Sequence, residues 1–123
     1  MKGCELDAVA GDPSAEGGPF VLRIRRADGT RVPAHWHPTD ENRTVLKGIF
    51  LVGRGETFDE TKLIAMKVES FTMVSKEMRH FAVCKGETIV RMHAAGPFKI
   101  NWLNPVEVIP PDAPTGAGTK PTS

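Results

Sequence analysis

The sequence predicts an all-β fold, a sandwich or barrel of short strands, and three observations support this. Short apolar or β-branched runs recur about every ten residues. Ten prolines and twelve glycines supply turns between them. No stretch holds a sustained helical period.

The elements follow in order. Residues 1–18 contain GDPSAEGG and read as an irregular arm or an edge strand. Residues 19–104 carry the strand pattern of one domain, and residues 105–123, PVEVIPPDAPTGAGTKPTS, read as a largely disordered Pro/Gly-rich tail. In Phe20 to Arg26, Phe20, Leu22 and Ile24 share one face and Arg23 and Arg25 the other. Ala27-Asp28-Gly29 is a turn signal, and the run Thr44 to Val52 is interrupted by Gly48. GRGETFDETK reads as a loop with room for a helical turn. Leu63–Val68, Phe71–Val74, His80–Val83, Thr88–His93 and Phe98–Leu103 are further runs, with Lys85-Gly86 and Gly96-Pro97 as separators. Phe50, Phe71, Met73, Phe81, Met92, Phe98 and Trp102 are the large side chains expected to fill the interior or wall a cavity.

Composition narrows the function classes. A chain of 123 residues with 40% hydrophobic and 25% charged residues is an ordinary globular domain. Its net charge of +1 gives no support to a nucleic-acid or anionic-membrane partner. Arg23, Arg25, Arg26 and Arg31 read as the solvated side of a strand and its turn, with an anion-binding face as the alternative. Cys4 and Cys84 belong to no CxxC pair, so a thiolate zinc site is not indicated. No apolar run is long enough to span a bilayer, and MKGCELDAVAG lacks the apolar stretch of a signal peptide. The expectation is a cytoplasmic protein. It becomes a secreted or periplasmic one if a leader has been removed.

The chemistry concentrates in GTRVPAHWHPTDENRTVLKG. His35, His37 and Glu41 sit two and four residues apart, and His80 lies downstream in MRHFAV. Three imidazoles and one carboxylate make a ligand set for a first-row transition metal. On a strand His35 and His37 point together with Trp36 opposite, and Pro38-Thr39-Asp40 can bend the chain so that Glu41 returns to the same side. His80 must then arrive from a sequence-distant strand, as the converging interior of a barrel allows.

Gly29, five residues, His35, one residue, His37, three residues, Glu41, six residues and Gly48 together resemble the first signature motif of the cupin superfamily at every defined position. The second cupin motif, G(x)5PxGxxH, aligns with ESFTMVSKEMRH from Glu69 to His80. The histidine is kept. Glu69 and Glu77 stand where the motif has glycines, Ser75 where it has proline, and Cys84 where a later asparagine is usual. The resemblance covers about residues 18 to 104. It implies a single jelly-roll β-barrel holding one divalent transition metal (Mn, Fe, Zn, Ni or Cu) on His35, His37, Glu41 and His80, often in a homodimer. Because Pro fixes φ and Gly permits positive φ, Ser75 and Glu77 are expected to cost about 1 kcal/mol or less each if the turn is kept. Coordination contributes on the order of 10 kcal/mol at a tight site, so His80 is expected to remain a ligand.

Two more residues are candidates. Alternation from Glu41 places Arg43 inward, as a clamp for a substrate carboxylate or enolate, unless a bulge turns it to the surface. His93 shares a strand face with Ile89 and Arg91 and is a candidate cavity acid or base. Three functions remain open. One is a metalloenzyme of dioxygenase or Lewis-acid type acting on a small oxygen-containing molecule, within a superfamily that also includes lyases and isomerases. Another is a non-catalytic metal- or ligand-binding module, and the third is a structural metal that braces the barrel.

Overall fold

The computed structural model describes residues 3–104, so the expected tail from 105 lies outside the described residues. Eight strands appear in the order β1 (Cys4–Ala10), β2 (Pro19–Arg26), β3 (Arg31–Trp36), β4 (Glu41–Arg54), β5 (Ile64–Met66), β6 (Phe71–Val74), β7 (His80–Ala95) and β8 (Asn101–Trp102). One 3-10 turn, Glu60–Lys62, follows β4 and is capped by the Asp59 carboxylate, which accepts from the Thr61 N–H. All pairings are antiparallel, and the chain forms a single jelly-roll β-barrel.

β7 is the hub. Its first half pairs with β3, its second half with β2, and β4 runs along its other edge from Arg54↔His80 to Glu41↔Ala94. β1 extends the sheet beyond β2, β8 beyond β3, and β5 and β6 border β4. The expected break at Lys85-Gly86 is instead a bulge inside one continuous strand, with Gly86 at φ +75°. The bulge faces an irregular stretch of β4, where the register slips on both sides of Lys47. Inward residues on β4 are Glu41, Arg43 and Val45 before this stretch but Phe50 after it, so the slip between Val45 and Lys47 switches the strand's parity.

Two apolar clusters fill the barrel. Val32, Val45, Phe50, Ala82, Cys84 and Val90 form one, and Phe20, Leu22, Ile24, Met92 and Phe98 the other. Phe81 is fully buried on the opposite face of β7, against Phe58 at 5.1 Å between ring centroids. Two expected interior residues are corrected: Phe71 and Met73 are 57% and 47% exposed. β6 is an outer strand whose inward position near its end belongs to buried Val74, which leaves its alternate residues outside.

The two glycines that frame the HxH segment separate two requirements. Gly29 has φ +80° with open space where a Cβ would stand, whereas at Gly48 (φ +77°) a Cβ would lie 2.4 Å from the Glu87 carbonyl oxygen. Gly29→Ala therefore meets only the left-handed backbone penalty, about 1–2 kcal/mol. Gly48→Ala adds a backbone collision and should lower the melting temperature by at least about 10 °C, given roughly 4–8 °C per kcal/mol for a domain of this size. Equal losses in calorimetry of the two variants would refute the steric role assigned to Gly48.

Candidate metal centre

A bulge in β3 sets up the site. Val32 and His35 both face inward although they are three residues apart, because the register slips between them at Pro33-Ala34. His35 then pairs across the ladder with His80 on β7, and their ring centroids are 4.1 Å apart. His37, two residues on, lies 4.8 Å from the His35 ring and 5.1 Å from the His80 ring. One ligand-type atom from each of the three lies within 4.8 Å of the others. All three are 5% exposed or less.

Each ring is held by its Nδ1. His35 bonds the Pro33 carbonyl at 2.7 Å, His80 the Met78 carbonyl at 2.8 Å and His37 the Lys99 carbonyl at 2.8 Å. A carbonyl only accepts, so each Nδ1 carries the hydrogen and each Nε2 keeps a free lone pair. This fixed tautomer is the one that metal-ligating histidines use. Burial lowers His35 well below its ordinary 6.5, with His80 and His37 adding to the shift. Burial likewise brings His37 to about 4 and His80 to about 3. The three imidazoles are therefore neutral at physiological pH, as coordination requires.

Glu41 is 3% exposed in the same cavity, but its carboxyl stands outside the group of three. Its Oε2 is 3.1 Å from His37 Nδ1. Of the four expected ligands, the three histidines converge and the Glu41 carboxyl adjoins them through His37. The reason is electrostatic: a carboxyl oxygen is drawn to the N–H edge of a ring and repelled by the nitrogen lone pairs. The contact is not an ion pair, since burial raises Glu41 to about 8 while His37 is lowered.

The turn that delivers His80 keeps its left-handed geometry without glycine. Glu77 has φ +65° at the third position of the turn closed by Met78 N–H to Ser75 carbonyl, 3.0 Å. Glu69 has φ +76° in the equivalent place of the turn Lys67–Ser70. Surrounding bonds hold both. The Glu77 N–H donates to the His37 carbonyl, the Lys76 N–H to Asp40 Oδ1 and the Glu69 N–H to the Val45 carbonyl.

Arg43 is inside, 8% exposed, and lines the cavity with the three histidines and Glu41. His93 is corrected: it is exposed and sits over an outer groove beside Asp40 and Asn42. Buried Val90 and Met92 take the inward positions of that strand, so its odd-numbered neighbours face out. Sequence reading missed one lining residue. Arg26 continues the inward face of Phe20, Leu22 and Ile24, a parity signal available in the sequence. Trp102, one of the large side chains expected to fill the interior or wall a cavity, lines it and pairs with His35 in register, their rings 5.2 Å apart.

No protein-family model and no curated protein sequence matches the chain. Solved structures do. KdgF from Halomonas sp. superposes with TM-score 0.63 at 18% identity, over 77% of this chain and 82% of that one. A cupin superfamily protein from Desulfitobacterium hafniense gives 0.61 at 20% identity, over 76% and 78%. The chain has the cupin fold. Salicylate 1,2-dioxygenase from Pseudoaminobacter salicylatoxidans, solved with gentisate, also carries a similar barrel: TM-score 0.65 at 9% identity, over 79% of this chain and 26% of that larger one. Among the described residues no helix is long and apolar enough to cross a membrane.

Two predictions test this geometry. Glu69→Gly and Glu77→Gly remove a left-handed penalty of about 1–2 kcal/mol and add about 0.5–1 kcal/mol of unfolded-chain freedom. Each should raise the melting temperature slightly, and a fall in either would show that the glutamate side chain is needed there. The second concerns chelator-treated protein. The lowered histidines make the unfolded chain bind more protons below pH 6.5, so stability falls as the pH drops from 6.5 toward 4. Raised Glu41 acts oppositely, since its contribution is lost as the pH rises through about 8. Calorimetry should give a melting-temperature maximum near pH 6.5, and a flat profile from pH 4.5 to 8 would contradict the burial argument.

Proposed function

We propose that this cupin-fold protein binds one divalent first-row transition metal on His35, His37 and His80, and that it is a metalloenzyme acting on a small oxygen-containing molecule. The observation that carries the reading is the shared tautomer: three buried Nδ1–H groups tied to carbonyls leave three Nε2 lone pairs in one cavity. Glu41 supplies the adjoining negative charge, because a cation nearby favours its ionised form. When bound, such an ion supplies dioxygenase-type redox chemistry or Lewis-acid polarisation of an oxygen-bearing group. The protein's own part is to exclude bulk water from the ligand nitrogens and hold them in one orientation. A donor set of imidazole and carboxylate suits Mn, Fe, Ni, Cu or Zn. Salicylate dioxygenase among the structures with the same fold is consistent with oxygen chemistry.

A second reading is a non-catalytic metal- or ligand-binding module. It is favoured by the outward position of His93, which removes the acid–base candidate outside the ligand set.

Elemental analysis of protein purified without chelator should find about one equivalent of metal. His35→Ala and His80→Ala should lose it. Glu41→Gln should retain it with affinity weakened about 10–100-fold, the range for an outer-shell partner. Less than a tenth of an equivalent in the wild type, with a folded circular-dichroism spectrum, refutes the metal reading. Full occupancy without turnover of any small oxygenated compound favours the binding module.

A further inference from the structure

The cavity behind the histidines holds an excess of donors. Three buried nitrogens among the described residues find no partner, Arg26 Nε, Arg43 Nε and Trp102 Nε1, and all three residues line this cavity. Arg and Trp are donors only. Buried polar atoms are normally paired, so three orphaned N–H groups around one small space mark a place for an acceptor-rich group. The charges agree. The Arg26 and Arg43 guanidinium carbons lie 5.8 and 5.4 Å from the centroid of the same Phe50 ring. Among the described residues no carboxylate lies within 4 Å of either. Glu41, the one carboxyl lining the cavity, stands against His37.

We infer that Arg26, Arg43 and Trp102 form a carboxylate clamp, which takes the acid group of a small organic anion beside the three histidines. A guanidinium fork matches a planar carboxylate, and its charge compensates cations that burial otherwise leaves unpaired. Burial favours carboxylate over phosphate, because a monoanion costs less to take out of water than a dianion. The inference deepens the metalloenzyme reading by naming its substrate class and rests on that reading for the adjacent ion, but the clamp residues differ from the ligand set, so the two can fail separately.

The test is calorimetric titration of wild-type protein, chelator-treated and metal-loaded, with sodium acetate, acetamide and sodium phosphate. Acetate should bind and raise the melting temperature in both forms, and acetamide should do neither. Arg43→Gln and Arg26→Gln should each weaken acetate binding at least about tenfold, which is about 1.4 kcal/mol, while metal stoichiometry stays at the wild-type value. Arg43→Lys, which keeps the charge without the fork, should bind between wild type and Arg43→Gln, and it serves if the glutamine variant does not fold. Acetate binding without metal uptake would sink the metal reading and leave the clamp standing. Metal uptake with no acetate response in either form overturns the clamp. Phosphate binding as tight as acetate overturns the carboxylate assignment. A lower melting temperature for ligand-free Arg43→Gln with unchanged acetate affinity makes Arg43 a packing residue and likewise overturns it.

Discussion

Three imidazoles share one buried cavity here because each gives its Nδ1 hydrogen to a fixed backbone carbonyl. Without those bonds the rings would need water or a proton, and burial disfavours the charged form of all three. Much of the local architecture serves this arrangement. The β3 bulge turns His35 inward, and His80 meets it across the ladder. His35 and His80 both bond a carbonyl two residues back, a local solution, from β3 itself for His35 and from the preceding turn for His80. His37 has no such neighbour and takes the Lys99 carbonyl, 62 residues away, so the segment before β8 becomes part of the site.

The second constraint is backbone shape. Glu69 and Glu77 adopt left-handed φ values that glycine would take more readily, and both turns remain closed. What preserves them is a set of bonds between segments. The turn before His80 is tied by Glu77 to His37 and by Lys76 to Asp40, so the two histidine segments hold each other in place. A local cost of about 1 kcal/mol per residue is small beside that combined anchoring. Both positions therefore keep glycine-like φ values without glycine.

The interior is also more cationic than a barrel core needs to be. Arg43 is held at about 10 chiefly by burial, with Glu41 opposing the shift. Arg79 outside stacks over Trp36 at 5.1 Å, covering the one aromatic of the HWH segment that faces away. Inside, Phe50 is the platform for two guanidinium groups. The solved structures to which the chain is similar share only 9–20% of their residues with it, so the fold is what they have in common with it.

Much was legible in the sequence. Period-two alternation gave the strands and the inward faces of β2 and of early β4, because one side of each is buried. The spacing of Gly29, His35, His37, Glu41 and Gly48 pointed to the barrel and the histidines, and two left-handed glycines frame the segment. Tertiary structure decided the rest. Alternation cannot be carried across a bulge, so only the folded ladder shows that Val32 and His35 share a face and that Val45 and Phe50 do. A titratable side chain's partner is set by what the barrel brings near, which is why Glu41 turned to the N–H edge of His37, and the register of β8 on β3 is what places Trp102 beside His35. His93 faces out because β7 is continuous with buried neighbours on its other face. Sequence alone fixed which residue types are present and their local period. Long-range pairing and burial fixed which of them meet, because both depend on contacts far apart along the chain.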